Sequence, residues 1–345
     1  MMKFRAWEVC AFCLVVLLLV IWVNDVFEDT DHRIHEWIAD FYNEPPHTLE
    51  VVTIGPSSMF SFWQPALAWE AFGTPSWNLT SPAMPYTAPI QMVKEALKTQ
   101  KPKVFVVEAG TFLNKPAPER IHFLSHNMPW SPEKLALIES SCREMGVEGL
   151  DRLEYFFPLV RFHSRWYSLR KEDFVRSRET YKGSSHYSLF LMRTGKFEYD
   201  YMDSEETEPI EKKQLDSLTE FLDFCKEKCL NVVFLAAPNT KDNKDELRYI
   251  QDVVEGYGYP FVMSLKHKDE IGLVIPDDFY NESHTNLSGS IKCVAWFGKY
   301  LSERYDLPDR RGEKGYESWE EASEGYLKKI EPHVDPRALE VLGLI

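Results

Sequence analysis

The sequence predicts an α/β protein: a three-layer, doubly wound, mostly parallel sheet with a helical insertion, preceded by one N-terminal transmembrane helix. Three observations predict it. Short apolar runs without alternation recur between amphipathic stretches, as buried parallel strands do between their covering helices. With 345 residues, 44% of them hydrophobic, the chain can bury a large core. Ahead of all this, residues 9–23 are almost wholly apolar.

The apolar run sets the address. Trp7 and Trp22 suit the two membrane interfaces, Lys3 and Arg5 precede the run, and Asp25, Glu28, Asp29 and Asp31 follow it. The positive-inside rule leaves the N-terminus in the cytoplasm and puts the rest outside, as a single-pass protein of the cell membrane. A cleaved signal peptide is the rival, although Val23-Asn24-Asp25-Val26-Phe27 lacks a small-x-small site; a buried helix is the third reading. Residues 1–28 are thus read as N-terminus and anchor, and 29–46 as a juxtamembrane linker, helical over 32–41 and stopped by Pro45-Pro46.

Beyond the linker, residues 50–54 predict a strand and Trp77-Asn78-Leu79 a second. Residues 87–99 predict a helix with Ile90, Val93 and Leu97 on one face, and 104–107 a central strand. From 114 to 207 the alternation lapses into aromatic-rich helical patches, 132–144 and 158–169 among them, read as an insertion that flanks the site. It then resumes with a helix over 209–228, a strand over 231–237, a helix over 244–254, a strand over 260–263 and a helix over 288–301. The α/β domain therefore covers 47–305, and 306–345 is a charged extension with a surface helix over 319–330.

Net charge is -15, and Lys and Arg are interleaved with Asp and Glu almost everywhere, which argues against a nucleic-acid partner. Cys225 and Cys229 share a helical stripe with Leu215, Leu218 and Leu222 and read as core. Cys142 and Cys293 fall in helical patterns, with a bridge between them left open in an exported protein. No metal-ligand spacing occurs, and no metal or cofactor is expected.

Two segments carry the chemistry. Val51-Val52-Thr53-Ile54 ends in Gly55-Pro56-Ser57-Ser58, a serine on a turn after a buried strand. Asn281-Glu282-Ser283-His284-Thr285-Asn286 precedes the last helix of the domain. A hydroxyl nucleophile needs a base, and the base needs a group that fixes its tautomer. In a doubly wound sheet both segments fall at the carboxyl edge of the strands. Taken alone, the first segment is also an ordinary turn composition, and His284 an ordinary loop histidine. Gly183-Ser184-Ser185-His186 imitates a nucleophile turn but follows no buried strand, and reads as surface loop. Glu108 lies at its strand's end and is either a site residue or a capping partner; Arg165 is either helix packing or an anion ligand. Asn78, Asn281 and Asn286 each begin an N-x-Ser/Thr sequon.

In their order and spacing these blocks resemble the SGNH/GDSL hydrolase superfamily, in the membrane-anchored branch of the D-alanyl-lipoteichoic acid biosynthesis and alginate O-acetylation proteins. The resemblance runs over about 47–305. It rests on Gly55 to Met59, Trp69 to Gly73 with Trp77-Asn78-Leu79, Ala96 to Val104, Phe157 to Trp166 and Asn281 to Gly289. It implies Ser57 as nucleophile, His284 as base, and Asn281 in the place of the triad acid, with Asp278 and Glu282 as substitute carboxylates. It implies an oxyanion held by backbone N–H groups at Ser57 and near Ala83, where the family has glycine. Glu108 stands where the family's third-block Asn is expected. Glu108, Arg165 and Trp166 are expected to bind substrate, with Trp130 and Trp166 as a sugar-stacking wall. The implied activity is a serine esterase or O-acyltransferase on acyl esters of a cell-envelope polysaccharide or teichoic-acid-like polymer, with a membrane-bound O-acyltransferase as partner. The alternative is a catalytically silent relative that binds glycan or scaffolds an envelope complex.

Overall fold

The computed structural model describes residues 5–27, 36–174, 181–185, 206–241, 243–334 and 336–343. Five strands form one sheet: β1 (Val51–Gly55), β2 (Ser76–Thr80), β3 (Val104–Glu108), β4 (Val232–Ala236) and β5 (Phe261–Met263). All neighbouring pairs are parallel, in the order β2-β1-β3-β4-β5. Every residue of β1 to β4 is buried; β1, β3 and β4 accordingly run largely apolar, whereas β2 alternates buried Ser76, Asn78 and Thr80 with Trp77 and Leu79. The order reverses between β1 and β3. A doubly wound sheet opens a crevice at that point, outside the carboxyl ends of its strands.

Alternate side chains feed two cores. Val52, Ile54, Phe105 and Val107 join the layer built by the helices Pro89–Thr99, Lys212–Glu227 and Lys244–Gly256. Val51, Val104, Val106 and Val233 join the opposite layer, with Ser57–Phe62, Pro65–Phe72 and Leu287–Arg304. The period-two alternation of side chains along a strand produces this division.

Two of the resemblance blocks are structural. Gly73 closes the helix Pro65–Phe72 in the left-handed region at φ 63°. Trp69 Nε1 donates to Glu320 at 3.2 Å, and Ser323 Oγ donates to Glu70 at 2.7 Å. Gln100 is fully buried, and its Oε1 accepts from the backbone of Thr48 and Leu49 just before β1.

The described residues after 305 contribute to the core as well as to the surface. The helix Glu317–Ile330 buries Trp319, Ser323, Tyr326 and Ile330; Trp319 joins the first layer, and Tyr326 and Ile330 join the second. The segment before β1 is likewise more than a linker. Trp37, Ile38 and Phe41 of the helix Glu36–Phe41 are buried, and Trp37 exchanges indole-to-carbonyl bonds with β2 through Thr80 and Trp77. Residues 32–35 of the expected helix lie outside the described residues. Lys182 reaches Glu44 at 2.8 Å, and Trp319 Nε1 donates to the same carboxylate at 2.9 Å, so residues before β1, in the insertion and near the C-terminus meet at one buried ion pair. Cys225 is buried as expected, but Cys229 is exposed at the helix end; Cys142 and Cys293 are free thiols in separate clusters.

The N-terminal helix runs Ala6–Val26, 21 residues, longer than the apolar run because Ala6 to Glu8 and Asn24 to Val26 continue it. That is about 31 Å at 1.5 Å per residue, the thickness of a bilayer core. Its stretch Trp7–Val26 has mean hydropathy 2.6 and is only 6% buried, so it is long and apolar enough to cross a membrane or to act as a signal sequence.

Candidate active site

Ser57 opens the helix Ser57–Phe62 directly after β1, with Pro56 as the cap residue. The turn is tight because Gly55 lies against β3: a Cβ built on it would fall 2.5 Å from Glu108 Cβ. At the other end of the chain, Phe279–Asn281 and His284–Thr285 pair antiparallel, with Asn281 opposite His284. Two bonds hold this hairpin and the helix after it on the Ser57 helix. Thr285 Oγ1 donates to the Ser61 carbonyl at 2.7 Å, and the Ser290 hydroxyl donates to the same oxygen. Asn286 caps the helix Leu287–Arg304 by accepting from Gly289 N–H at 3.1 Å. Gly289 lies so close to the hairpin that a Cβ there would meet the Asp278 carbonyl at 2.3 Å. The spacing Asn281-x-x-His284-x-Asn286-x-x-Gly289 is thus one base, its orienter, a cap and a close approach.

The geometry is that of a relay. His284 Nε2 lies 2.6 Å from Ser57 Oγ, and His284 Nδ1 lies 2.8 Å from Asn281 Oδ1. An amide can present oxygen or nitrogen, and here a backbone donor decides. Ser283 N–H donates to Asn281 Oδ1 at 2.9 Å, so the oxygen faces the hairpin. Nδ1 then carries the proton, and the Nε2 lone pair faces the serine hydroxyl. This is the tautomer a general base requires, the one an amide turned the other way would forbid.

Neither substitute carboxylate reaches the imidazole. Asp278 accepts from Val274 N–H and from Lys292 Nζ, both at 2.7 Å. Glu282 pairs with Lys241 at 2.9 Å, and that ammonium holds its carboxyl below the usual range. Burial, with Lys241 nearby, pulls His284 down to about 4. At neutral pH the ring is therefore unprotonated and ready to accept, but its imidazolium lacks an adjacent counter-charge.

A cleft of about 240 Å³ opens beside the pair, with Ser57, Ala83, Glu108, Asn114, Lys241 and His284 on its walls. Glu108 is therefore a cleft residue, fully buried at the end of β3. Ala83 also lies in the cleft, at φ 45°, a left-handed conformation that strains any residue with a Cβ. A glycine would adopt this turn without strain, and alanine adopts it at a cost. Ala83→Gly is expected to raise unfolding stability by about 1 kcal/mol in urea titrations of the detergent-solubilised chain, with Ser57 reactivity retained.

Arg165 and Trp166 do not belong to this cleft. Arg165 donates to the Phe27 carbonyl at 3.1 Å and pairs with Asp173 at 2.8 Å, at the foot of the N-terminal helix. Trp166, 70% exposed, is its neighbour there. Trp130 stacks on Phe156, also away from the cleft. The segment Gly183-Ser184-Ser185 is buried structure and not surface loop: Ser184 Oγ accepts from Ala66 N–H at 2.8 Å, at the start of a helix. His186 lies outside the described residues. Asn78 and Asn286 are fully buried, so two of the three sequons are closed to glycosylation in the folded chain. The sequence reading missed Asn114, Asn239 and Lys241. The last two follow the carboxyl end of β4 within five residues, where the edge rule applied to that strand would have found them.

No protein-family model, curated protein or solved structure matches this chain.

Proposed function

We propose that the chain is an SGNH-type serine esterase or O-acyltransferase, tethered by its N-terminal helix with the α/β domain outside the cytoplasm, acting on acyl esters of a cell-envelope glycan. The observation that carries the chemistry is the Ser57–His284–Asn281 relay with its amide fixed by Ser283 N–H. Its place at the switch point of a doubly wound sheet agrees with it. The ordered motif blocks support the family and the polymer class, and the apolar helix supports the address.

The steps follow from the geometry. Ser57 Oγ forms a bond to the acyl carbon as its proton passes to His284 Nε2. The carbonyl electrons move to an oxyanion received by backbone N–H groups at Ser57 and Ala83. The C–O bond to the leaving alkoxide breaks as His284 returns the proton. Water, or a second sugar hydroxyl, then attacks the acyl-enzyme by the same route, giving hydrolysis or transfer. A cleft of about 240 Å³ with Glu108, Asn114, Asn239 and Lys241 on its walls favours a short acyl group over a fatty chain. A membrane-bound O-acyltransferase is the partner this reading expects.

One observation favours a second reading, a silent glycan-binding or scaffold protein: Asp278 and Glu282 are both engaged by lysines, leaving the imidazolium with an amide. Fluorophosphonate labelling of the full chain, read by mass spectrometry, separates the two. The enzyme reading expects an adduct on Ser57 that Ser57→Ala abolishes. An unlabelled, folded wild-type chain would establish the second.

A further inference from the structure

The foot of the N-terminal helix is packed into the insertion. Leu159 N–H donates to Asn24 Oδ1 at 3.0 Å, and Arg165 Nη1 donates to the Phe27 carbonyl at 3.1 Å. The ring of Phe174 lies 6.2 Å from that of Trp22. Trp22 is four residues inside the helix end at Val26, about 6 Å along the axis. If the helix spans a bilayer, the part of the insertion that touches Trp22 sits at the depth of the headgroups and not above them.

The composition of this part fits that depth. Val160 (45%), Trp166 (70%), Tyr167 (76%) and Phe174 (50%) expose large apolar side chains. Trp and Tyr are the residues that settle at a membrane–water boundary. In a chain of net charge -15, residues 158–174 contain Arg161, Arg165, Arg170 and Lys171 against Glu172 and Asp173, and Asp173 is buried and paired with Arg165. Cations among interfacial aromatics match anionic lipid headgroups.

We propose that residues 158–174 form a membrane seat: Val160, Trp166, Tyr167 and Phe174 enter the headgroup boundary of the leaflet where the N-terminal helix ends, and the exposed Arg170 and Lys171 meet lipid phosphates. The partner is the bilayer itself, because the seat is continuous with the helix that enters it. Arg165, paired with Asp173 and bound to the Phe27 carbonyl, couples the seat to the helix foot. The α/β domain is thereby held at a fixed tilt, lying on the membrane and not swinging from a leash. The inference rests on the spanning reading of residues 6–26 and is independent of the proposed chemistry.

Nitroxide accessibility tests it on the full chain in phosphatidylcholine–phosphatidylglycerol vesicles. Cys10, Cys13 and Cys229 are replaced by Ser, and single labels are placed through Leu14→Cys, Trp166→Cys, Phe174→Cys and Lys228→Cys. Leu14 reports the spanning helix, and Lys228, exposed at a helix end, is the aqueous reference. The seat predicts that labels at 166 and 174 are relaxed more by oxygen and less by a nickel chelate than the label at 228. Labels at 166 and 174 that match 228, with 14 in the acyl core, would overturn the seat and leave the anchor standing. An aqueous label at 14 would remove the anchor reading and the seat with it.

Discussion

Replacing His284 by Ala is expected to slow fluorophosphonate labelling of Ser57 by about 10²–10⁴-fold, and Asn281→Asp to speed it by about 10–100-fold. The loss follows from removing the imidazole that contacts Ser57 Oγ, the only one to do so among the described residues. The gain follows from what the amide already does and what it does not. Held by Ser283 N–H, Asn281 Oδ1 fixes the tautomer, so aspartate has no orientation to repair. It adds a negative charge beside a ring that burial and Lys241 hold at about 4. Each unit by which that value rises adds about 1.4 kcal/mol of preference for the imidazolium formed during attack. The pH profile checks the sign. The base must be neutral, so the wild-type labelling rate should stay level down to about pH 5 and fall through about 4, and in Asn281→Asp the fall should move upward toward 6.5. The same depressed value makes stability decline as pH drops from about 6.5 toward 4, because the unfolded chain binds the proton that the folded site resists. A labelling rate unchanged or lowered in Asn281→Asp would mean that the imidazolium is not formed at this site.

Gly55→Ala is expected to cost about 3 kcal/mol, the upper end of overpacking, and to slow Ser57 labelling by about 10²-fold in whatever fraction folds. The added Cβ would sit 2.5 Å from Glu108 Cβ and 3.1 Å from Met59 Cβ. β1 has little freedom to yield, because it is paired on both sides, to β2 and to β3. The displacement would therefore be taken up by the turn that carries Ser57. Glu108→Gly removes the atom in conflict, so the double variant should recover stability relative to Gly55→Ala alone; Glu108→Ala keeps that atom and should not. Urea unfolding of the four chains decides, and equal stabilities for the two double variants would refute the close-approach account.

β1, β3 and β4 were legible because each is buried on both faces and reads as a largely apolar run, 104–107 most clearly; β2, with polar Ser76, Asn78 and Thr80, carries a weaker signal. Ser57 and His284 were legible because both stand where such strands must present their chemistry. The orientation of Asn281 was not legible, since it is decided by a backbone N–H two residues on, in a hairpin whose fold no pattern announces. Arg165 and Trp166 look like ligand-binding residues in any local window. Their actual setting depends on a carbonyl 138 residues earlier in the chain. The stripe Trp319, Ser323, Tyr326 and Ile330 was visible, but the surrounding Glu and Lys residues disguised a core helix as a surface one. Ala83 stands where the resemblance expected glycine, and its positive φ gives that expectation a physical basis.

The Ser57–His284 contact joins residues 227 apart in sequence. The bond from Trp319 to Glu44 spans 275. A ribosome delivers a chain from its N-terminus, so β1 and the nucleophile emerge long before the hairpin that activates them. Throughout synthesis Ser57 is an ordinary alcohol, because its base is missing and the helix that packs against Trp69 has not been made. The Ser57–His284 contact can form only when nearly the whole polypeptide is in place, and a prematurely ended chain keeps the serine without the histidine. On the proposed reading, the wide separation acts as a built-in delay, sparing unfinished molecules and any esters around them from a half-assembled site.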